Sequence, residues 1–271
     1  MTLSLNSTVR LNNGIQIPRI GFGVYQIPAG KVTTNAVKYA LKVGYKHIDT
    51  AKIYGNESDV GKAIEESDQR REDIFVTTKV WNSDQGYDST LKAFEGSLKR
   101  LGLSYVDLYL IHWPVEKKIT ETWKAMTQLL KNDKVRAIGV SNYSVNELNE
   151  TLQSSDITPA INQVGFHPFL YQKELLEFCK NKSIQLEAYS PLTRGKRLKH
   201  PNLLEMARKY NKTPAQILVR WSLQHDLVVI PKSSHEERIL ENSQVFDLNI
   251  DQSDTSVLDS LNENLRTVFL D

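Results

Sequence analysis

The chain has 271 residues, with 34 Lys and Arg against 32 Asp and Glu, a formal net charge of +2. Apolar residues make up 40% and charged residues 24%, an ordinary globular composition, and the near-neutral balance argues against nucleic acid or an anionic membrane as the main partner. No stretch approaches about 18 apolar residues, so nothing reads as a bilayer span, and the single cysteine, Cys179, excludes an internal disulfide and a metal site built on several thiolates.

The N-terminus, MTLSLN, has no basic segment leading into an apolar one and does not read as a signal peptide. The expected setting is therefore the cytoplasm, where the sequons at Asn6 and Asn56 are chance matches. No low-complexity segment or Pro/Gly/Ser linker interrupts the chain, which predicts one domain over residues 1–271. Residues 8–20, with Asn12, Asn13 and Gly14 between short apolar runs, read as a β-hairpin.

After the hairpin an alternation begins. Short apolar or β-branched runs lie at 20–25, 47–50, 74–80, 106–113, 135–141, 160–166, 185–189 and 227–231. Amphipathic segments separate them. Leu91, Phe94, Leu98 and Leu101 have the spacing of a one-faced helix, as do Trp123, Met126, Leu129 and Leu130. Cys179 sits with Leu175, Leu176 and Phe178 on an apolar helical face and reads as packed core. The last interval holds two helical patterns, around 203–210 and 214–224, the second started by Thr213 as N-cap and Pro214 at the first helical position. Another helix is expected around 256–261. Eight strands, each followed by helix, predict a (β/α)8 barrel whose hairpin closes the N-terminal end; a doubly wound sheet is the competing arrangement.

In a barrel the active site lies at the C-terminal ends of the strands. The residues that end or directly follow the runs are Tyr25, Asp49, Lys79, His112, Asn142, Gln163, Tyr189 with Ser190, and Lys232 with Ser233 and Ser234. Every strand thus delivers a polar or aromatic group to one face. Taken singly, each has a plain structural reading: His112 as a structural histidine, Lys79 as a mouth lysine or a Schiff-base nucleophile, Tyr54 as packing. The stretch GFGVYQ (21–26) begins like a dinucleotide fingerprint, but it lacks the third glycine and is followed by Pro28 and Gly30 before any helix, so it fails as a Rossmann phosphate loop.

Five segments carry a resemblance: DTAKIYGNE (49–57), TKVW (78–81), LYLIHWP (108–114), IGVSN (138–142) and VIPKSS (229–234). On them the chain resembles the aldo-keto reductases, and among these the short microbial-type members that include the 2,5-diketo-gluconate reductases. The likeness runs from the hairpin to the final helix. It implies an NADPH-dependent carbonyl reductase that turns aldehydes and some ketones into alcohols by direct hydride transfer. Tyr54, Lys79, Asp49 and His112 match the family's catalytic tetrad. Reduction of a carbonyl needs a hydride on carbon and a proton on oxygen. Tyr54 would give the proton, and the Lys79 ammonium, held by Asp49, would lower the pKa of the tyrosine. His112 would orient the carbonyl oxygen by a hydrogen bond.

The resemblance also implies the cofactor site. Ser141, Asn142 and Gln163 would hold the nicotinamide carboxamide and Tyr189 would stack on the ring. Ser190 and Leu192 match the pyrophosphate loop. Lys232, Ser233, Ser234 and Arg238 would take the 2′-phosphate, with Glu241 and Asn242 at the adenine. The loop SPLTRGK (190–196) has Thr193 where the family often has glycine, which would restrict the backbone there. Tyr25, Trp81, His112 and Trp113, with Ile53 beside them, would line a substrate pocket suited to apolar or planar carbonyl compounds. The short tail 262–271 implies that this pocket is open. Two rival readings use the same barrel: an NADPH-binding structural or regulatory protein with little turnover, and a Schiff-base lyase built on Lys79. No heptad or large apolar stripe calls for assembly, so a monomer is expected.

Overall fold

A computed structural model describes residues 3–269; the first two and last two residues, which belong to the expected domain and tail, lie outside the described residues. The chain starts with the expected hairpin. Strands β1 (Thr8–Arg10) and β2 (Gln16–Pro18) pair antiparallel, with Thr8 opposite Pro18. The turn closes through Leu11 N to Ile15 O at 2.8 Å, and Gly14 takes φ +90°, a region in which a Cβ is strained. Asn12 and Asn13 donate to the carbonyls of Pro159 and Arg136 and pin the turn to the rest of the fold.

Eight parallel strands follow in sequence order around the sheet: β3 (Phe22–Gly23), β4 (His47–Asp49), β5 (Phe75–Val80), β6 (Val106–Ile111), β7 (Val135–Ser141), β8 (Ile161–Gly165), β9 (Gln185–Tyr189) and β10 (Val228–Ile230). The first and last strands meet through a parallel bridge of Ile20 with Val229 and through Gly21 N to Val229 O at 2.8 Å, which makes the sheet a nearly closed barrel. The expected strand 20–25 thus shrinks to two ladder residues at the seam. A Cβ on Gly21 would stand 2.5 Å from His47 Nδ1. The first glycine of the GFGVYQ stretch therefore makes room for a buried imidazole, not for a phosphate.

Helices α1 (Lys31–Val43), α2 (Glu57–Glu65), α3 (Tyr87–Leu101), α4 (Ile119–Lys131), α5 (Val145–Ser154) and α6 (Lys173–Asn181) alternate with the strands. Then come α7 (Pro201–Lys209), α8 (Pro214–Gln224), α9 (Glu236–Ser243) and α10 (Gln252–Asp259). The face of α3 predicted from Phe94, Leu98 and Leu101 is buried, as are Trp123, Met126 and Leu129 of α4 and Cys179 of α6. Thr213 caps α8 in a reciprocal box with Gln216, and Pro214 starts the helix as expected. No helix among the described residues is long and apolar enough to cross a membrane.

There are two apolar cores. The larger one fills the layer between strands and helices. The smaller one lies inside the barrel, where Phe75, Leu108, Leu110, Ala137, Ile161 and Val228 meet Leu11 and Ile17 of the hairpin. Alternate residues of a strand face the same side. Along β5 the inward positions therefore run Phe75, Thr77, Lys79, and along β6 Leu108, Leu110 and then His112. The barrel is apolar at the hairpin end and polar at the other.

Candidate active site

Four of the eight strand ends build one cluster. The Lys79 ammonium is wholly buried. It donates to both Asp49 oxygens at 2.7 and 2.8 Å and to Thr50 O at 2.9 Å, and it stands 3.5 Å from the Tyr54 hydroxyl. The Tyr54 ring lies edge-on to His112, with centroids 5.6 Å apart, and 5.0 Å from the ring of Tyr25. Trp81 meets His112 at 5.1 Å. The structure thus brings Tyr54, Lys79, Asp49 and His112 together.

The motif that carries Tyr54 is also the device that places it. After β4 the chain makes one tight turn, with Tyr54 N donating to Ala51 O at 3.0 Å and Gly55 at φ +69°. Asn56 is wholly buried. Its Oδ1 accepts from the Thr50 hydroxyl at 2.9 Å and its Nδ2 donates to Val24 O at 3.1 Å. Glu57 accepts from Thr78 and from Arg100, both at 2.6 Å, and anchors the start of α2. Thr50, Asn56 and Glu57 were not singled out from sequence, although each is a polar residue inside a short motif that already held two site residues.

The electrostatics correct one expectation. The Lys79 ammonium, 3.5 Å away, does not bring the Tyr54 hydroxyl below the ordinary tyrosine range. Burial pushes it well above the ordinary tyrosine range, and the Asp49 carboxylate adds to that. The two Asp49 oxygens, in direct contact with the Lys79 charge and closer to it than the phenol is, offset part of its pull. Tyr54 accordingly holds its proton at neutral pH. Burial first, and Lys79 second, drive the His112 imidazole well below the usual histidine range, so it is neutral. Its Nδ1 has no hydrogen-bond partner among the described residues.

Beside the tetrad, Ser141 Oγ donates to Gln163 O at 2.8 Å, and Asn142, at φ +63°, donates through Nδ2 to His112 O at 2.9 Å. The Tyr189 hydroxyl donates to Asn142 Oδ1 at 2.7 Å, and its ring lies over Gly165, where a Cβ would stand 3.2 Å from it. Gln163 Nε2 donates to Asp49 Oδ2 at 2.8 Å and to Glu187 Oε2 at 3.1 Å, while no donor reaches its Oε1 among the described residues. An unspent amide oxygen beside a tyrosine ring suits a group that has an amide N–H₂ on an aromatic ring.

After β10, Lys232, Ser234 and Arg238 are exposed and Ser233 is buried, its Oγ accepting from His235 N at 3.1 Å. Lys232 and Arg238 pair with no carboxylate among the described residues, and burial, then Arg194, lower the Lys232 pKa. Lys232, which feels a second cation in Arg194 and pairs with no acid among the described residues, suits a phosphate. Glu241 accepts from the Thr213 hydroxyl at 2.6 Å, and Asn242 is buried nearby on α9. Between the two groups runs the loop after β9. Ser190, Thr193 and Arg194 all take positive φ, at +49°, +54° and +51°, and Leu192 is half-buried. Thr193 does strain this loop as expected, and its buried hydroxyl accepts from Arg197 N at 3.0 Å. Arg194 reaches Gln26 Oε1 at 2.6 Å and Thr267 O at 2.8 Å, tying the loop to two other segments of the mouth.

Tyr25, Trp81 and Trp113 are half-exposed at the mouth, and Ile53 is 48% exposed beside Tyr54. Sequence reasoning missed His47 and Glu187, both wholly buried inside the barrel. Burial and Lys79 hold the His47 imidazole down at about 3. Both lie two residues before a site residue on the same strand, Asp49 and Tyr189, so period-2 alternation was the signal that could have found them.

The Aldo/keto reductase family model matches residues 19–263. The glyoxal reductase of Bacillus subtilis is 52% identical over 266 residues, which cover 98% of this chain and 96% of that protein. A crystal structure of an aldo/keto reductase from Brucella melitensis superposes with a TM-score of 0.91 at 48% identity, covering 94% of this chain and 99% of that one. A Bombyx mori aldo-keto reductase solved in complex with NADP superposes with a TM-score of 0.93 at 33% identity, covering 99% and 96%.

Proposed function

This chain belongs to the aldo/keto reductase family of oxidoreductases, and we propose that it is an NADPH-dependent carbonyl reductase acting on aldehydes and some ketones, with Tyr54 as general acid. The observation that carries the proposal is the Lys79 ammonium, locked between Asp49 and the Tyr54 hydroxyl with a neutral His112 alongside. When bound, NADPH supplies a hydride to the carbonyl carbon.

The residues of the chain do the rest. The N–H of neutral His112 holds the carbonyl oxygen without competing for the proton. Tyr54 keeps its proton until negative charge builds on that oxygen, then gives it up. The Lys79 ammonium, 3.5 Å away, stabilises the phenolate left behind, and Asp49 keeps the ammonium aimed. In the reverse direction the phenolate of Tyr54 takes the proton from an alcohol.

Ser141, Asn142 and Gln163 hold the carboxamide and Tyr189 carries the ring. Ser190 and Leu192 face the pyrophosphate, Lys232, Ser233, Ser234 and Arg238 the 2′-phosphate, and Glu241 and Asn242 the adenine. Tyr25, Trp81, His112 and Trp113 form the wall for the substrate, and the half-exposure of Tyr25, Trp81 and Trp113 supports an open pocket for aromatic or apolar carbonyl compounds. The working unit is one domain, a monomer in the cytoplasm.

The test is NADPH consumption with a reactive aromatic aldehyde, wild type beside Tyr54→Phe. Turnover in the wild type alone is the expected result. Tight NADPH binding without turnover in either protein would replace this reading with that of a cofactor-binding barrel.

A further inference from the structure

The barrel interior holds one carboxyl that the reaction above does not use. Glu187 lies on β9, two residues before Tyr189 and on the same face of the strand. Its Oε2 accepts from Gln163 Nε2 at 3.1 Å, and the same nitrogen donates to Asp49 Oδ2 at 2.8 Å. Its Oε1 has no hydrogen-bond partner among the described residues and stands 3.8 Å from His47 Nε2, which is neutral and 3.0 Å from the Thr77 hydroxyl. The titratable groups facing this carboxyl are His47 and Asp49 from β4, Tyr54 from the turn after it, and Lys79 from β5.

One buried ammonium therefore stands among two carboxyls, and Asp49 takes it with both oxygens. Glu187 is left without a cation. Burial, then Asp49, push its acid well above the usual carboxylate range, so at neutral pH it is a protonated acid whose Oε2 still accepts. A primary amide has two N–H donors and one acceptor oxygen. Both donors of Gln163 are spent on the two carboxyls. Flipped over, Gln163 would set its own oxygen against an Asp49 carboxylate oxygen, which is repulsive.

We propose that Glu187 is a positioning residue: together with Asp49 it fixes the flip of the Gln163 amide, so that Gln163 offers a carbonyl oxygen to the carboxamide of the cofactor. The inference rests on the NADPH reading above. It predicts that two replacements of one residue behave differently. In Glu187→Gln the side-chain carbonyl still accepts from Gln163 and the group no longer ionises. In Glu187→Leu the acceptor is gone.

The experiment is NADPH titration by fluorescence and kcat for aldehyde reduction in wild type, Glu187→Gln and Glu187→Leu, from neutral to alkaline pH. The NADPH Kd is expected to rise about tenfold in Glu187→Leu, the loss of one restraining hydrogen bond to a buried group, and to stay within twofold of wild type in Glu187→Gln. In the wild type, ionisation of Glu187 adds a negative charge that makes Tyr54 a weaker acid, so kcat falls on the alkaline side; in Glu187→Gln that fall moves to higher pH. Equal Kd values for wild type and Glu187→Leu would overturn the inference, as would equal losses in both variants. Should Glu187→Leu not fold, Glu187→Ala removes the same acceptor, and an NADPH Kd there equal to wild type would overturn it. A wild type that fails to bind NADPH would sink the functional reading itself, and the inference with it.

Discussion

The two ends of the barrel interior are equally shut off from water and opposite in chemistry. At the hairpin end Phe75, Leu108, Ala137, Ile161 and Val228 close over Leu11 and Ile17, each at most 4% exposed. At the mouth end Asp49, Lys79, Gln163, Glu187 and His47 are as deeply buried. The same strands supply both, and two steps along a strand move the side chain by about 6.6 Å without changing its face. Apolar burial stabilises by roughly 25 cal/mol per Å², whereas a buried ion pair recovers little more than the cost of its own desolvation. One end of the barrel therefore stabilises the fold, and the other holds charges in an arrangement that does chemistry.

Replacements at the two ends should separate these contributions. Asp49→Asn leaves the Lys79 ammonium buried without its counter-charge and is expected to cost about 3–5 kcal/mol in urea unfolding, together with nearly all turnover. Phe75→Ala at the hairpin end is expected to cost a similar 3–5 kcal/mol, but with turnover per folded molecule unchanged. If both variants lost activity only in proportion to unfolding, the division between the ends would fail.

A pH titration addresses the polar end next. His47 and His167 have folded-state values near 3 and 4, both below the unfolded value of about 6.5. The unfolded chain binds these protons first. Stability is thus complete above about pH 7 and is lost as the pH falls from 6.5 towards 3, by up to about 1.4 kcal/mol per unit for each histidine. Thermal unfolding measured from neutral pH down to about 4 should show this loss, and it should be smaller in His167→Phe. A melting temperature that is flat over that range would contradict the assignment of both histidines as buried and neutral.

The smallest effect is expected outside the barrel. Lys232→Ala and Arg238→Ala together should weaken NADPH binding by about 100-fold or more, at roughly 1.5 kcal/mol per charged hydrogen bond, with stability and kcat nearly unchanged. An unchanged NADPH Kd would remove the phosphate assignment from these residues.

How much of this was legible in the sequence follows from what each feature depends on. The eight strands and the hairpin were readable because apolar runs and turn residues are local signals; the seam strand shortened most, to two residues, beside the close approach of Gly21 to His47. Asp49, Lys79 and His112 were readable because they end apolar runs, and Tyr54 because it sits in a short motif that carries the family resemblance. Glu187 and His47 escaped because only residues at the strand ends were considered, not those two positions earlier on the same face. The direction of the Tyr54 shift escaped for another reason: it depends first on how deeply the hydroxyl is buried and then on the nearby Asp49 carboxylate, neither of which a sequence pattern carries.

The central claim is that proton delivery lives at the mouth end and stability at the hairpin end. Measuring kcat for NADPH-driven aldehyde reduction and the unfolding free energy on the same preparations of Tyr54→Phe and Phe75→Ala tests it most directly. Tyr54→Phe should lose about 10²- to 10⁴-fold in kcat at nearly wild-type stability, and Phe75→Ala the reverse. Turnover retained in Tyr54→Phe would contradict the account.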